Sequence, residues 1–350
     1  MANPVIINVI SGKGGTGKTL LTAILADMLG TEGARVLVID LDIFVRGLTA
    51  LLYFHRGRSL LVTDTDELAV SDYFVKKVRS PRKKITGAPG VSRYRSFDVV
   101  PSVNRIDEVF GFRDVAPDNF AQARRILQNI LDSLPTRFDY IFLDSRAGFD
   151  ELIAATHEVS TFSICVQEED QISNVTAESL IKQLHQDSNR KVFRVINKAR
   201  RIDNPEDLNK GHFSFDFLGI IPFDIDVMNS FGEESFWDDI SRSLYKLAVA
   251  RTWNNLQAQM SLDYGLPEER VAPLISERLE RRLGKYSFFN RILMVYGFTL
   301  AFLGLGITVL GRAFLEDLAH DPFRAVSLLI GIAGLGLGVY AILRTTPSRE

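Results

Sequence analysis

Near the start of the chain stand Gly12, Lys13, Gly14, Gly15, Thr16, Gly17, Lys18 and Thr19 in succession. Glycines in that pattern let backbone N–H groups converge on an anion. A helix opening at the last two residues would add the positive end of its dipole. One glycine, four residues, then Gly17-Lys18-Thr19 is the spacing of a phosphate-binding loop. Lys18 is expected to pair with the β- and γ-phosphates of a nucleotide, and the Thr19 hydroxyl to ligate Mg²⁺. Such a loop needs one lysine. Lys13 is a second.

A phosphate loop works between a strand and a helix, and both are predicted here. Residues 5–10 are β-branched and apolar, and residues 19–29 place Leu20, Leu21, Ile24, Leu25 and Met28 at helical spacing. The same rhythm continues to about residue 260, with strands predicted at 35–40, 97–101, 140–144, 162–167, 191–197 and 217–221 and helices at 119–134 and 241–259. Short apolar strands alternating with helices imply an α/β fold: a mostly parallel, doubly wound sheet with helices on both faces. Cys165, the one cysteine, lies in an apolar run and reads as a buried strand residue. It excludes an internal disulfide or a cysteine-based metal site.

Residues 53–95 are less regular and carry Lys76, Lys77, Arg79, Arg82, Lys83 and Lys84. That cluster is read as a solvated helix end and loop, with anionic lipid or nucleic acid as the alternative. The net charge of −2 gives no general attraction to nucleic acid. The first residues lack a basic leader, so no export signal is expected.

Residues 261–287 are polar, contain Pro267 and Pro273, and are read as a linker or stalk. Two uncharged apolar runs follow, at about 292–311 and 325–343, each long enough for one bilayer crossing. A transmembrane helical hairpin spanning 288–344 and a short tail at 345–350 are therefore expected. Arg278, Arg281, Arg282, Lys285 and Arg291 precede the first run, and Arg344 and Arg349 follow the second. Positive flanks favour the cytoplasm. The expectation is a multi-pass protein of a bacterial-type inner (cytoplasmic) membrane, with the folded domain and both termini cytoplasmic. Glycines in both runs suit close helix packing, and the absence of charge argues against an ion path.

KGGTGKT, residues 13–19, resembles the deviant phosphate loop of the MinD/ParA branch of P-loop ATPases, within the SIMIBI class. VLVIDLDIFVRGLT resembles that family's second strand and first switch, and IFLDSRAGFD its second switch. VINK resembles the base-binding strand end, and LGIIPFDIDV the late Ile-Pro-x-Asp turn. The five motifs stand in the family's order and cover about residues 3–260. DLDIFVRGL makes MinD-type proteins nearer than DNA-segregating ParA proteins.

The resemblance implies ATP and Mg²⁺ as cofactors, slow ATP hydrolysis, and an ATP-dependent homodimer that sandwiches two nucleotides. It implies that Lys13 reaches phosphate in the partner's site; the plain alternative is a lysine in solvent. It implies that Asp42 orients the attacking water, Asp144 holds Mg²⁺ through water and Asp40 supports the magnesium shell. Gly148 would donate its N–H to the γ-phosphate, and Asn197 would contact adenine. A guanine-reading Asn-Lys-x-Asp motif would need an acid at Arg200, so ATP is favoured over GTP. Arg146 stands where the family commonly has proline. It is read either as an added dimer or phosphate contact, or as a surface arginine tied to Asp150 or Glu151.

The resulting expectation is a membrane-anchored ATPase switch that recruits or regulates an unidentified protein partner when ATP-dimerised. The alternatives are a relative of bacterial tyrosine kinases, whose tyrosine-rich tail is missing here, and an ATP-binding scaffold without turnover. A DNA-partitioning role through residues 190–201 is disfavoured by a membrane tether.

Overall fold

The computed structural model describes residues 3–55, 67–75, 87–200, 216–241, 243–268, 295–302 and 332–333. The chain divides into two compact units, Met1–Ala272 and Pro273–Glu350.

The first unit begins with β1 (Val5–Ser11), α1 (Lys18–Thr31), β2 (Val36–Asp40), α2 (Gly47–His55) and the short α3 (Val70–Phe74). Next come β3 (Ser92–Tyr94), β4 (Phe97–Val100), α4 (Phe112–Val115), α5 (Phe120–Asp132), β5 (Tyr140–Ala147) and α6 (Glu151–Val159). It closes with β6 (Phe162–Glu168), α7 (Gln171–Asp187), β7 (Val192–Ala199), β8 (Phe217–Pro222), α8 (Ile225–Ser230), α9 (Phe236–Ser241) and α10 (Leu244–Met260). The strands form one sheet in the order β3-β4-β2-β5-β1-β6-β7-β8. Each pairing is parallel except β3 with β4.

Alternation along the strands separates two cores. Val36, Val38, Tyr140 and Phe142 face one, together with α1 and α10. Leu37, Ile39, Ile141 and Leu143 face the other, with α5 and α6. A strand buried on both faces reads as a continuous apolar run, which is why VLVID is buried throughout. Helix α5 shows the opposite pattern: Ala123, Leu127 and Ile130 alone are buried, on one stripe, and Asn119 caps it by accepting from Gln122 N–H at 2.9 Å. Cys165 lies fully buried in β6, and burial pushes its thiol up to about 12.

Four differences from the sequence reading have local causes. Strand β5 runs three residues past Asp144, because Ala147 pairs with Ser11 and the Ser145 hydroxyl donates to Asn8 Oδ1 at 2.7 Å. β3 was not predicted. It is three residues long and turns into β4 through Arg95, at φ 52°, without a glycine to signal the turn. The helix expected at 241–259 is α10 and starts at Leu244, because Ser243 caps it by accepting from Lys246 N–H; the short α9 ahead of it is not signalled in the sequence. Residues 261–268, read as linker, are stitched to the domain. Tyr140 Oη donates to Asp263 O at 2.6 Å, Trp253 Nε1 to Tyr264 O at 2.8 Å, and Leu266 is buried.

The basic cluster at 76–84 and the linker beyond residue 268 lie outside the described residues. So do the two apolar runs, except residues 295–302 and 332–333, which are helical. Val295, Tyr296, Phe298 and Phe302 are exposed. Among the described residues, no helix is long and apolar enough to cross a membrane.

His157 on α6 is buried, with Nδ1 2.8 Å from Ser163 Oγ. Burial holds its pKa down to about 4, from an ordinary 6.5. A histidine depressed in this way contributes stability that is complete above about pH 6.5 and is lost as pH falls toward about 4. The urea midpoint should therefore drop between pH 7 and pH 5, and His157→Gln should flatten that drop. Parallel curves for the two proteins would contradict the assignment.

Candidate functional site

The C-terminal ends of the parallel strands carry the chemistry-bearing residues, at the point where the sheet order turns outward from β1. Gly12 packs on α7: a Cβ there would sit 2.4 Å from the Thr176 carbonyl carbon. Gly17, at φ 89°, caps α1 in a left-handed conformation, and a Cβ there would meet Asn197 Nδ2 at 2.3 Å. Gly14 and Gly15 are exposed, with Thr16 buried between Gly15 and Gly17. Gly17→Ala combines left-handed strain, about 1–3 kcal/mol, with a clash of the new methyl against the Asn197 side-chain amide. It should lower the thermal midpoint and weaken ATP binding together. An unchanged midpoint would show that the loop accommodates the methyl.

Lys18 Nζ donates to Ser11 Oγ at 2.9 Å, and the Ser11 hydroxyl donates to Lys13 O at 2.7 Å. Burial lowers the Lys18 pKa, and the carboxylates of Asp144 and Asp42 oppose that shift. Lys13 is neither in open solvent nor extended from the domain. Its ammonium lies 2.7 Å from Asp170 Oδ2 and 2.8 Å from Glu168 Oε2, in the β6–α7 loop. Asp170, then Glu168, raise its pKa. Asp170 also caps α7 by accepting from Ser173 N–H at 2.9 Å. Neither acid was singled out from sequence. Their visible signal is the EED run directly after an apolar strand.

Asp40 and Asp144 are register partners on adjacent strands, and both are buried. Asp40 is spoken for. Its Oδ2 accepts from Thr49 N–H at 2.8 Å and Thr49 Oγ1 at 2.6 Å, and its Oδ1 from Asp42 N–H at 3.1 Å. Its support of a magnesium shell is thereby indirect: it anchors the start of α2 and the Asp42 loop. Asp42 Oδ1 accepts from Val45 N–H at 2.9 Å and Phe44 N–H at 3.3 Å, which fixes the carboxylate in a tight turn. Burial, and then the neighbouring Asp40, raise the pKa of Asp144. The neighbouring Thr19 hydroxyl opposes that shift, and Asp144 Oδ1 is buried without a hydrogen-bond partner.

An orphaned carboxylate oxygen beside a threonine hydroxyl fits a divalent cation, which would relieve the raised pKa. Among the described residues no three His, Cys, Asp or Glu side chains form a cage. Thr19 and Asp144 therefore suit Mg²⁺, which keeps waters and takes substrate phosphates as further ligands.

Two further site residues make bonds within the chain. The Gly148 N–H donates to Ser11 O, at the end of β1, at 2.9 Å. Asn197 is buried, its Nδ2 donating to Thr16 O at 2.8 Å and its Oδ1 accepting from Lys198 N–H at 2.9 Å. It braces the loop at Thr16. Beside it opens a cavity of about 540 Å³ lined by Glu168, Glu169, Asp170, Lys198, Arg200 and Phe223. Lys198 reaches from there to Gly15 O. As for Arg146, it pairs with Asp150, the surface-pair reading.

The model of the CobQ/CobB/MinD/ParA nucleotide-binding domain matches residues 7–235. The septum site-determining protein MinD of Synechocystis is 28% identical over 201 residues, 56% of this chain and 65% of that protein. The chain thus spans just under two thirds of that relative's length. MinD of Bacillus subtilis is 24% identical over 233 residues, 64% of this chain and 78% of that protein. Among solved structures, Pyrococcus horikoshii MinD complexed with Mg-ADP superposes at a TM-score of 0.52 and 19% identity, covering 75% of this chain and 100% of that one. The MinC:MinD complex of Aquifex aeolicus gives 0.51 at 22% identity, covering 75% and 98%. These two likenesses establish a shared fold.

Proposed function

The chain belongs to the CobQ/CobB/MinD/ParA nucleotide-binding family, and from that premise we propose that it is a membrane-anchored ATPase switch, which pairs two copies around ATP and engages a protein partner in that state. The observation that carries the reading is the meeting of Lys18, Thr19, Asp42 and the buried, orphaned Asp144 oxygen at the C-terminal ends of the central strands.

In the proposed reaction the phosphate-loop N–H groups and Lys18 hold the polyphosphate. Asp42, fixed by its turn, orients a water. The water oxygen bonds to the γ-phosphorus as the bond to the β-phosphate oxygen breaks, giving ADP and inorganic phosphate. Thr19 and Asp144 would hold Mg²⁺, which when bound would supply positive charge to offset that of the polyphosphate. The cavity beside Lys198 and Phe223 takes the base. Arg200, at the position where a guanine-reading acid would stand, favours adenine.

Lys13 supplies the second half of the switch. In the single chain it rests on Glu168 and Asp170. Exposed ion pairs contribute little net stability, so exchange for a partner's phosphate is inexpensive. The apolar runs at 292–311 and 325–343 support a bilayer hairpin with both termini cytoplasmic. The MinC:MinD complex of the Aquifex relative supports a protein partner for the dimer.

The test is phosphate release by the full chain in detergent micelles. Turnover with Mg·ATP well above Mg·GTP, lost by ~100-fold or more in Asp42→Asn, supports the reading. Tight ATP binding without turnover would make the chain a scaffold, and no binding of either nucleotide would overturn the reading.

A further inference from the structure

The loop between β4 and α5 carries no candidate site residue, yet it touches the Asp42 loop and the segment from Arg146 to Gly148 at the end of β5. Phe112, at the start of α4, stacks on Phe44 with ring centroids 5.8 Å apart and planes 20° from parallel. Phe44 follows Asp42 by two residues. The same Phe112 ring lies 5.5 Å from the Arg146 guanidinium carbon, within cation–π range. Arg146 precedes Gly148 by two residues. Phe112 is therefore a shared contact of the two loops.

Its setting is built. Val115, one turn on, is buried in the core, and Gly111 N–H donates to Asp114 Oδ2 at 3.2 Å, closing the turn. Arg46 fastens the same segment from the other side. Its Nη1 donates to Ile106 O at 2.7 Å, its Nε to Ile43 O at 2.6 Å, and its guanidinium lies 5.9 Å from the Phe110 ring. Phe112 itself is 60% exposed and Phe44 40%. Burial in the core does not explain an aromatic ring at that place, whereas contact with both loops does.

We propose that Phe112 is a positioning residue for ATP hydrolysis, coupling the Asp42 loop to the Gly148 loop through Phe44 and Arg146. The inference rests on the ATPase reading above. A shift of either loop moves a ring or guanidinium stacked on Phe112, so the two loops change position together. Misplacing a water-orienting carboxylate by about 1 Å costs up to ~100-fold in rate.

Phe112→Ala in the full chain should lower kcat by ~10-fold or more and leave the KM for ATP within about twofold. The thermal midpoint should hold, because the ring is exposed. Phe112→Tyr should restore turnover and Phe112→Leu should not, since the stack needs a π-face. Adding Phe44→Ala to Phe112→Ala should cost little more. A kcat unchanged by Phe112→Ala, or restored equally by leucine, would overturn the proposal. Tryptic cleavage after Arg113 reads the loop without turnover. Mg·ATP should slow it relative to Mg·ADP in the unmodified chain and not in Phe112→Ala. No nucleotide effect in the unmodified chain would also overturn the coupling. A chain that shows the cleavage effect but no turnover would fail the ATPase reading alone.

Discussion

Lys18→Ala is expected to weaken Mg·ATP binding by ~100-fold or more, on the order of 3 kcal/mol. Lys18 sits at the opening of α1 with its ammonium on Ser11 Oγ, close enough to Asp144 and Asp42 for both carboxylates to oppose its loss of a proton. Removing it deletes a charge-assisted contact to phosphate. It also leaves those acids facing the polyphosphate without a compensating cation, so the loss exceeds one hydrogen bond. Lys18→Arg should not rescue, because the guanidinium fork is larger and the pocket between Ser11 and Asp144 is built for a point charge. Titration calorimetry of the full chain reads this directly. Affinity within about fivefold of the unmodified chain would show that Lys18 is not the phosphate lysine.

Lys13→Ala should have the opposite signature. Turnover should fall by ~100-fold or more, the scale of a cation delivered to charge that develops during phosphoryl transfer, while ATP affinity changes little. The reason is geometric. In the single chain Lys13 is occupied by Glu168, at the end of β6, and by Asp170, which caps α7. The proposed catalytic contribution requires it to leave those acids when a second copy approaches. Turnover per chain should rise with protein concentration in the unmodified chain and stay flat in Lys13→Ala. Equal loss of binding and turnover would place Lys13 in its own subunit's site.

Much of this site was legible because its residues lie in short contiguous motifs. The stretch around Gly12 to Thr19 reads as a strand, a glycine loop and a helix start in sequence order, and the structure has the strand before the loop and the helix after it. Asp144 was legible for a similar reason, as an acid ending an apolar run. Residues that act across distance were not. Glu168 and Asp170 meet Lys13 only because β6 lies beside β1. Phe112 meets Phe44 and Arg146 only because the loop after β4 folds over two strand ends. Asn197 illustrates a subtler difference. Its place at the end of an apolar strand is visible in sequence, but the close approach of Gly17, with the amide donating to Thr16 O, is not. Strand ends also ran long where side chains reinforced them, as Ser145 does through Asn8.

The central claim is that ATP closes two copies into one sandwich through Lys13. The most direct test is the protein mass of the full chain by light scattering in detergent, with the detergent's share subtracted and Asp42→Ala present to hold ATP intact. The account predicts a monomer in Mg·ADP, a dimer in Mg·ATP, and a monomer in Mg·ATP once Lys13→Ala is added. A mass that ignores both nucleotide and Lys13 would contradict it, and a dimer in every state would assign pairing to the apolar runs instead.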